Sequence, residues 1–134
     1  MADIRTVTPD FAVAPQIEPA DMAKAKARGF TLVINNRPDG EAPGQPDSAE
    51  MQTAAEAEGL SYLHVPVVGR PSEDQVAAVA EAVKATKGPV LAFCRSGTRS
   101  IVTWAIGEAA RGGRSREDLI GLGQSAGYDL SSVI

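Results

Sequence analysis

The sequence has little sulfur and little imidazole: Cys94 is the single cysteine and His64 the single histidine among 134 residues. A lone cysteine excludes an internal disulfide and gives no sign of an oxidising compartment. One cysteine and one histidine also fall short of the four ligands that a structural zinc site needs. We therefore expect no metal, no cofactor and a cytoplasmic location.

Long apolar runs and a basic charge balance are absent as well. No apolar segment approaches the ~20 residues of a membrane span, and the start, residues 1–5, lacks the apolar stretch of a signal peptide. The net charge of −4 argues against nucleic acid as a partner. With 43% hydrophobic and 22% charged residues, the chain is expected to fold as a single domain over residues 1–134, without a membrane or nucleic-acid partner.

Short apolar runs alternate with amphipathic segments along the whole chain. The apolar runs predict buried strands at 11–14, 31–35, 61–67 and 90–93. Cap residues and helical periodicity predict helices at about 20–28, 47–58, 72–88, 100–110 and 115–127. This alternation predicts an α/β fold with a largely parallel sheet flanked by helices on both faces.

The stretch 89–100, PVLAFCRSGTRS, combines a buried strand, a tight loop and the beginning of a helix. Backbone N–H groups converge in such a loop, and the positive end of the helix dipole points at whatever lies inside it. Because Cys94 opens the loop, its thiol is expected to ionise easily and to act as a nucleophile. The stretch therefore predicts an anion-binding site that is built around a reactive cysteine.

The residues that follow Cys94 have expected roles in this site. Arg99 would bind an oxyanion in a bidentate fork, and Gly97 would permit the sharp bend of the chain. Ser100 would donate a hydrogen bond to the sulfur when the sulfur leaves. The other residues of the predicted anion-binding loop are Arg95, Ser96 and Thr98.

Three residues in other loops are predicted to line the rim of this site. Arg37 and Asp39 follow the predicted strand 31–35, at the edge where parallel sheets bind their ligands. Arg70 follows the strand predicted at 61–67 and is a rim candidate for the same reason. His64, within that strand, and Trp104, on the helix after the cysteine, are interpreted as packing residues.

The residues CRSGTRS at 94–100 resemble the active-site loop of single-domain rhodaneses, which are sulfurtransferases. The wider chain resembles the protein-tyrosine and dual-specificity phosphatase fold. It is most similar to the small bacterial family named for the phosphatase-like domain of beta-lactamase-hydrolase-like proteins, which is also labelled a sulfurtransferase family. Further residues that carry this resemblance lie at 9–11, 16, 36–39, 45–47, 66–67 and 126–127.

Two observations favour sulfur transfer over phosphoryl transfer. The phosphatase signature has five residues between cysteine and arginine, whereas only four separate Cys94 from Arg99. The shorter loop is expected to enclose a narrower anion-binding space, as in rhodaneses. Dual-specificity phosphatases also carry an aspartate as general acid, and the matching segment here, 65–71, contains no acidic residue. Asp74 lies too far along the chain, so Asp39 would have to substitute from another loop.

The sequence is therefore interpreted as a cysteine-dependent sulfurtransferase that carries sulfur as a Cys94 persulfide. Because no second cysteine is present, an external thiol would accept the sulfur. The alternative is a phosphatase that forms a phosphocysteine and acts on a small phosphorylated molecule or a phosphoprotein. The third hypothesis is a non-catalytic module that binds anions. Under each of them the site binds a small anionic sulfur or phosphate group.

Overall fold

The computed structural model describes residues 2–134, which form one five-stranded sheet flanked by helices. The strands are β1 (Arg5–Thr8), β2 (Phe11–Ala14), β3 (Leu32–Asn35), β4 (Ser61–His64) and β5 (Val90–Phe93). The helices are α1 (Asp21–Ala27), α2 (Ser48–Ala57), α3 (Glu73–Ala85), α4 (Thr98–Ala110) and α5 (Arg116–Ser125). The predicted α/β architecture is confirmed.

The sheet runs in the order β1, β2, β5, β3, β4, with β1 antiparallel to β2 and every other pair parallel. The largely parallel sheet predicted from the sequence is therefore confirmed. β5 is the central strand, and all four of its residues are buried. β2 and β3, its neighbours, are equally buried along their whole length. A strand covered on both faces needs a continuous apolar run, which is why the sequence reveals these three strands.

The edges of the sheet differ from the prediction. The sequence does not predict β1, because three of its four residues are polar and only Val7 and Thr8 are buried. β4 ends at His64, whereas the apolar pattern predicted a strand as far as Val67. Beyond His64 the chain still hydrogen-bonds to the end of β3, through the Val65 and Val67 N–H groups, but it no longer follows the strand ladder.

Three of the helices, α2, α3 and α5, begin at the predicted cap residues. Asp47 accepts the N–H of Glu50 at 2.8 Å, Ser72 and Gln75 form a reciprocal capping box, and Ser115 caps α5. The longest of these helices have 13 residues. Within residues 2–134, none of the helices combines the length and the apolar character that crossing a membrane would require.

Two hydrophobic cores lie on the two faces of the sheet. Ile34 and Ala92 belong to the core that contacts α4 and α5, whereas their neighbours Val33 and Leu91 belong to the core on the opposite face. Trp104 stacks on Phe11 with ring centroids 4.9 Å apart, which confirms its predicted place in the core. Helix α4, which begins beside the cysteine loop, is thereby held firmly against the sheet.

Candidate active site

Cys94 follows the central strand β5 directly, at the carboxyl edge of the sheet. Its side chain is fully buried, and its sulfur accepts a hydrogen bond of 3.1 Å from the N–H of Gly97. Gly97 has a φ of +90°, a left-handed conformation that turns the chain into α4. Helix α4 therefore begins at Thr98, two residues earlier than the sequence indicated, and the loop turns around the sulfur.

The loop carries backbone donors that are free to bind an anion. Among residues 2–134, no protein acceptor is found for the N–H groups of Arg95, Ser96, Arg99 and Ser100. The N–H of Thr98 donates to the hydroxyl of Ser96 at 3.3 Å. Free donors at the positive end of a helix are the usual way in which proteins bind phosphate and similar anions.

The guanidinium of Arg99 forms the bidentate fork predicted from the sequence, but its partner is a carboxylate of the same chain. Nη1 and Nη2 donate to the two carboxylate oxygens of Glu41 at 2.7 and 2.8 Å. Nη1 also donates to the carbonyl of Val67 at 2.8 Å. This carbonyl lies in the loop after β4, where a dual-specificity phosphatase would carry its aspartate.

Glu41 is held by two arginines. Besides Arg99, the Nε of Arg37 donates to Glu41 at 2.9 Å. The hydrogen bond from Arg99, supported by Arg37, outweighs the effect of burial and lowers the pKa of Glu41 from 4.5 to about 2. The same contact raises the pKa of Arg99. Glu41 is therefore a carboxylate at neutral pH and holds no proton to give to a leaving group.

Arg37 was predicted on the rim, but its side chain is only 5% exposed and lies below it. Its Nη1 donates to the side chain of Gln16 at 3.1 Å, while its carbonyl is 2.8 Å from Nε2 of His64. Gln16 also reaches the cysteine loop, since its N–H donates to the carbonyl of Arg95. Arg37 therefore braces Glu41 from beneath, and His64 braces Arg37.

The other two rim predictions differ from the structure. Asp39 accepts the N–H of Ser48 at 2.8 Å, so it orders the beginning of α2, and within residues 2–134 no hydrogen bond joins it to the cysteine loop. Arg70 is exposed and lines a groove between α3 and α4 together with Pro71 and Ile106. The sequence could not reveal these positions of Asp39 and Arg70, because they depend on how each loop packs against the helices that follow it.

Ser100 also has a different partner from the predicted one. Its hydroxyl is buried and donates to Oδ1 of Asn36 at 2.8 Å, so its single proton is not available to the sulfur. The amide of Asn36 donates in turn to the carbonyl of Val65. This chain of hydrogen bonds joins α4 to the ends of β3 and β4 and holds the cysteine loop against the sheet.

The outer part of the loop is open to solvent. Arg95, Ser96 and Thr98 are exposed, and the hydroxyl of Ser96 donates to that of Thr98 at 3.0 Å. This exposure suits Arg95 as a charge that attracts anions to the site. The inner part of the loop, by contrast, is formed by the buried residues Cys94, Gly97 and Ser100.

Sequence reasoning missed two residues that contact this loop. One is Glu41, which lies in a loop after β3 without any periodic pattern that would relate it to Arg99. The other is Tyr128, whose hydroxyl donates to the carbonyl of Ser96 at 2.8 Å. Tyr128 directly follows residues 126–127, which carry part of the family resemblance, and that position was the available signal.

The fold and the cysteine loop together define a protein of the protein-tyrosine and dual-specificity phosphatase-like class. More narrowly, the chain belongs to the family described as "Beta-lactamase hydrolase-like protein, phosphatase-like domain", which matches residues 3–111. It is 39% identical to the beta-lactamase hydrolase-like protein of Agrobacterium fabrum over 90% of its own length. It spans only 28% of that relative.

Solved structures agree with this assignment. A candidate phosphatase from Neisseria meningitidis superposes with a TM-score of 0.85 and 30% identity, over 96% of this chain and 92% of the other. Tk-PTP in its active form superposes with a TM-score of 0.75 and 21% identity, over 96% of this chain and 87% of Tk-PTP. The comparisons favour the phosphatase alternative and do not support the sulfurtransferase interpretation that we preferred from the sequence.

Proposed function

We propose that the chain is a cysteine-dependent phosphatase with Cys94 as its nucleophile. The observation that carries this proposal is the cysteine loop itself, in which the Gly97 N–H donates to the sulfur and four other N–H groups have no acceptor among the described residues. The phosphatase-like family and fold support the same reaction. The substrate would be a small phosphorylated molecule or a phosphoprotein.

In the proposed reaction the Cys94 thiolate attacks phosphorus, and the bond between phosphorus and the leaving oxygen breaks. The leaving group departs as an alkoxide or phenoxide and takes its proton from water. Water then attacks the phosphocysteine, the S–P bond breaks, and phosphate and the thiolate are released. The loop N–H groups stabilise the charge on the three phosphoryl oxygens in both steps.

Arg99 can contribute to binding while it remains paired with Glu41. The carboxylate occupies the edge formed by Nη1 and Nη2, which leaves Nε–H and the second Nη2–H on the other edge of the guanidinium. A phosphate could accept two hydrogen bonds from that second edge. Glu41 would then fix the orientation of the fork, and substrate binding would not require the ion pair to break.

Neither Glu41 nor Asp39 is arranged to protonate a leaving group, which predicts a narrow choice of leaving groups. Glu41 is ionised, and the carboxylate of Asp39 is bonded to the backbone of α2. A positioned acid usually accelerates such a reaction by a factor of ~10²–10⁴. This factor is smallest for leaving groups that are stable as anions. Aryl phosphates with acidic phenols should therefore react much faster than alkyl phosphates.

A second candidate function, sulfur transfer through a Cys94 persulfide to an external thiol, is favoured by the loop length. The arginine follows the cysteine after four residues, and Ser100, buried and bonded to Asn36, stands where the phosphatase signature has its arginine. A good sulfur leaving group would also need no acid. The length of the loop favours this candidate, whereas the N–H groups of the loop, the family and the fold support the phosphatase.

Assaying one protein preparation for phosphate hydrolysis and for sulfur transfer tests both candidate functions. We expect hydrolysis of p-nitrophenyl phosphate at a kcat/KM well above that with thiosulfate or glutathione persulfide, and loss of hydrolysis in Cys94→Ser purified in parallel. A phosphoenzyme trapped by rapid quenching should carry its phosphate on Cys94. If the protein transfers sulfur, gains the mass of one sulfur atom and releases no phosphate from p-nitrophenyl phosphate, the phosphatase is rejected and the second candidate is established.

A further inference from the structure

The peptide bond between Ser96 and Gly97 is held at both ends. Its N–H donates to the sulfur of Cys94 at 3.1 Å, and its carbonyl accepts the hydroxyl proton of Tyr128 at 2.8 Å. In a trans peptide these two groups point in opposite directions. The bond from Tyr128 therefore draws the carbonyl away from the sulfur and turns the N–H towards it.

The alternative orientation of this peptide would harm the nucleophile. If the peptide rotated by half a turn, the Ser96 carbonyl oxygen would face the sulfur in place of the N–H. A carbonyl dipole pointing at a thiolate is repulsive, whereas an N–H stabilises the anion. Gly97 is the kind of residue at which such a rotation is easy, because it has no side chain to oppose it. The loop thus needs an external restraint.

Tyr128 is itself fixed from several sides. The guanidinium of Arg5 lies over its ring, 5.2 Å from the centroid, and also donates to the carbonyl of Ala126. The N–H of Tyr128 donates to the carbonyl of Gly123 at 2.8 Å. The hydroxyl fits so closely that a Cβ added at Gly97 would lie 2.1 Å from it. The restraint on the loop is therefore rigid.

We propose that Tyr128 is a positioning residue, whose hydroxyl locks the Ser96–Gly97 peptide so that its N–H stabilises the Cys94 thiolate. The proposal rests on the role of Cys94 as the nucleophile of the proposed phosphatase. Tyr128 lies outside the residues 3–111 that match the family, so the segment after α5 supplies part of the site. No contact between Tyr128 and substrate is required.

The surroundings of Tyr128 keep its hydroxyl protonated and able to donate. Burial raises the pKa of Tyr128, and the nearby charge of Cys94 raises it further, while Arg5 acts in the opposite direction. Asp3 is the remaining charged group that acts on the phenol, and Arg99 is the cation that faces Cys94. None of these groups is altered when the Tyr128 hydroxyl alone is removed.

The test is the rate at which iodoacetamide alkylates Tyr128→Phe between pH 5 and pH 9. Cys94 is the single cysteine, so the reaction reports on the site alone. We expect the rate at pH 7 to fall about tenfold, which is typical of losing one hydrogen bond to a charged group, and the midpoint of the pH profile to rise. Tyr62→Phe is the matched control, because Tyr62 bonds to Asn35 and Ser48 and not to the loop.

The wild-type rate and pH profile in a folded Tyr128→Phe variant would overturn the proposal. So would an equal loss in Tyr62→Phe, since both variants lose a hydrogen-bonded tyrosine hydroxyl. If Tyr128→Phe does not fold, Arg5→Leu removes the cation over the ring while leaving the hydroxyl, and slower alkylation is again expected; an unchanged rate would overturn the proposal. Alkylation involves no phosphate, so this result stands apart from that of the phosphatase assay.

Discussion

Single residues decide what chemistry the loop can perform, and the most informative one is Glu41. Its carboxylate lies between Arg99 and Arg37, with three N–O distances of 2.7 to 2.9 Å. From the sequence we expect Arg99 to bind an incoming anion and Arg37 to carry a charge at the rim of the site. The structure instead pairs both with an internal carboxylate, which orients Arg99 but cannot supply a proton.

Glu41→Gln should change how stability depends on pH. Because folding lowers the pKa of Glu41 from 4.5 to about 2, the ionised carboxylate stabilises the native state fully above pH 4.5. That contribution is lost as the pH falls from about 4.5 towards 2. Urea unfolding at pH 6, 4 and 3 should therefore show the variant to be less stable than the wild type at pH 6, with a difference that shrinks at pH 3.

Glu81→Gln is the control for this measurement. Glu81 is an exposed carboxylate on α3 for which no ion pair is found within residues 2–134. Its variant should follow the wild type at every pH. A difference between Glu41→Gln and the wild type that remains constant from pH 6 to pH 3 would show that the ion pair with Arg99 does not stabilise the fold.

At the scale of elements, the link between β5 and α4 is the part that the chain could not easily change. Gly97 lies at the end of the loop with a φ of +90°, and it leaves no space for a side chain against Tyr128. Both requirements apply to one residue, because the loop must bend into α4 and admit the tyrosine hydroxyl at the same point. Glycine alone meets them.

Gly97→Ala should destabilise the protein for two separable reasons. The left-handed conformation costs an alanine about 1–2 kcal/mol, and the contact with Tyr128 adds to that cost. Gly112→Ala measures the cost of the left-handed conformation alone, because Gly112 has a φ of +70° with no atom within 4 Å of an added Cβ. Thermal unfolding should show the larger loss at Gly97.

A double-mutant cycle separates the contact itself. In a Tyr128→Phe background the hydroxyl is gone, so Gly97→Ala should cost less than it does in the wild type. If the two substitutions add without any coupling, the closeness of the hydroxyl to Gly97 has no energetic consequence.

At the scale of the whole molecule, the site depends on the chain closing back on itself. The segment after α5 returns to the sheet, and Leu130, which is 1% exposed, packs in the core that holds α4. Gly123 allows this approach, since an added Cβ there would lie 2.8 Å from Leu130. The same segment carries Tyr128 to the cysteine loop, so core packing and the site are connected.

Leu130→Ala should therefore destabilise the entire chain in one transition. A buried leucine replaced by alanine usually costs ~2–5 kcal/mol, and we expect urea unfolding to remain a single cooperative step. Val68→Ala is the control, because Val68 is 78% exposed and its variant should stay within about 0.5 kcal/mol of the wild type. Two separate transitions would contradict the single domain that we propose.

The sequence by itself determined the features that depend on neighbouring residues. Continuous apolar runs predicted β2, β3 and β5, and cap residues predicted where α2, α3 and α5 begin. The order of strand, cysteine, glycine and helix predicted the loop. These features follow from local backbone preference and from burial on both faces of a strand. The polar edge strand β1 escaped prediction because only its pairing with β2 makes it a strand.

The tertiary structure alone decided which side chains meet at the loop. Glu41, Gln16 and Tyr128 come from three distant parts of the chain, and Ser100 finds Asn36 where the sequence expected it to serve the sulfur. No periodicity relates these residues, because their contacts depend on how loops at the carboxyl edge of the sheet pack together. The loop length and the missing acid favoured sulfur transfer, whereas the whole fold, which arises from contacts across the chain, resembles phosphatases.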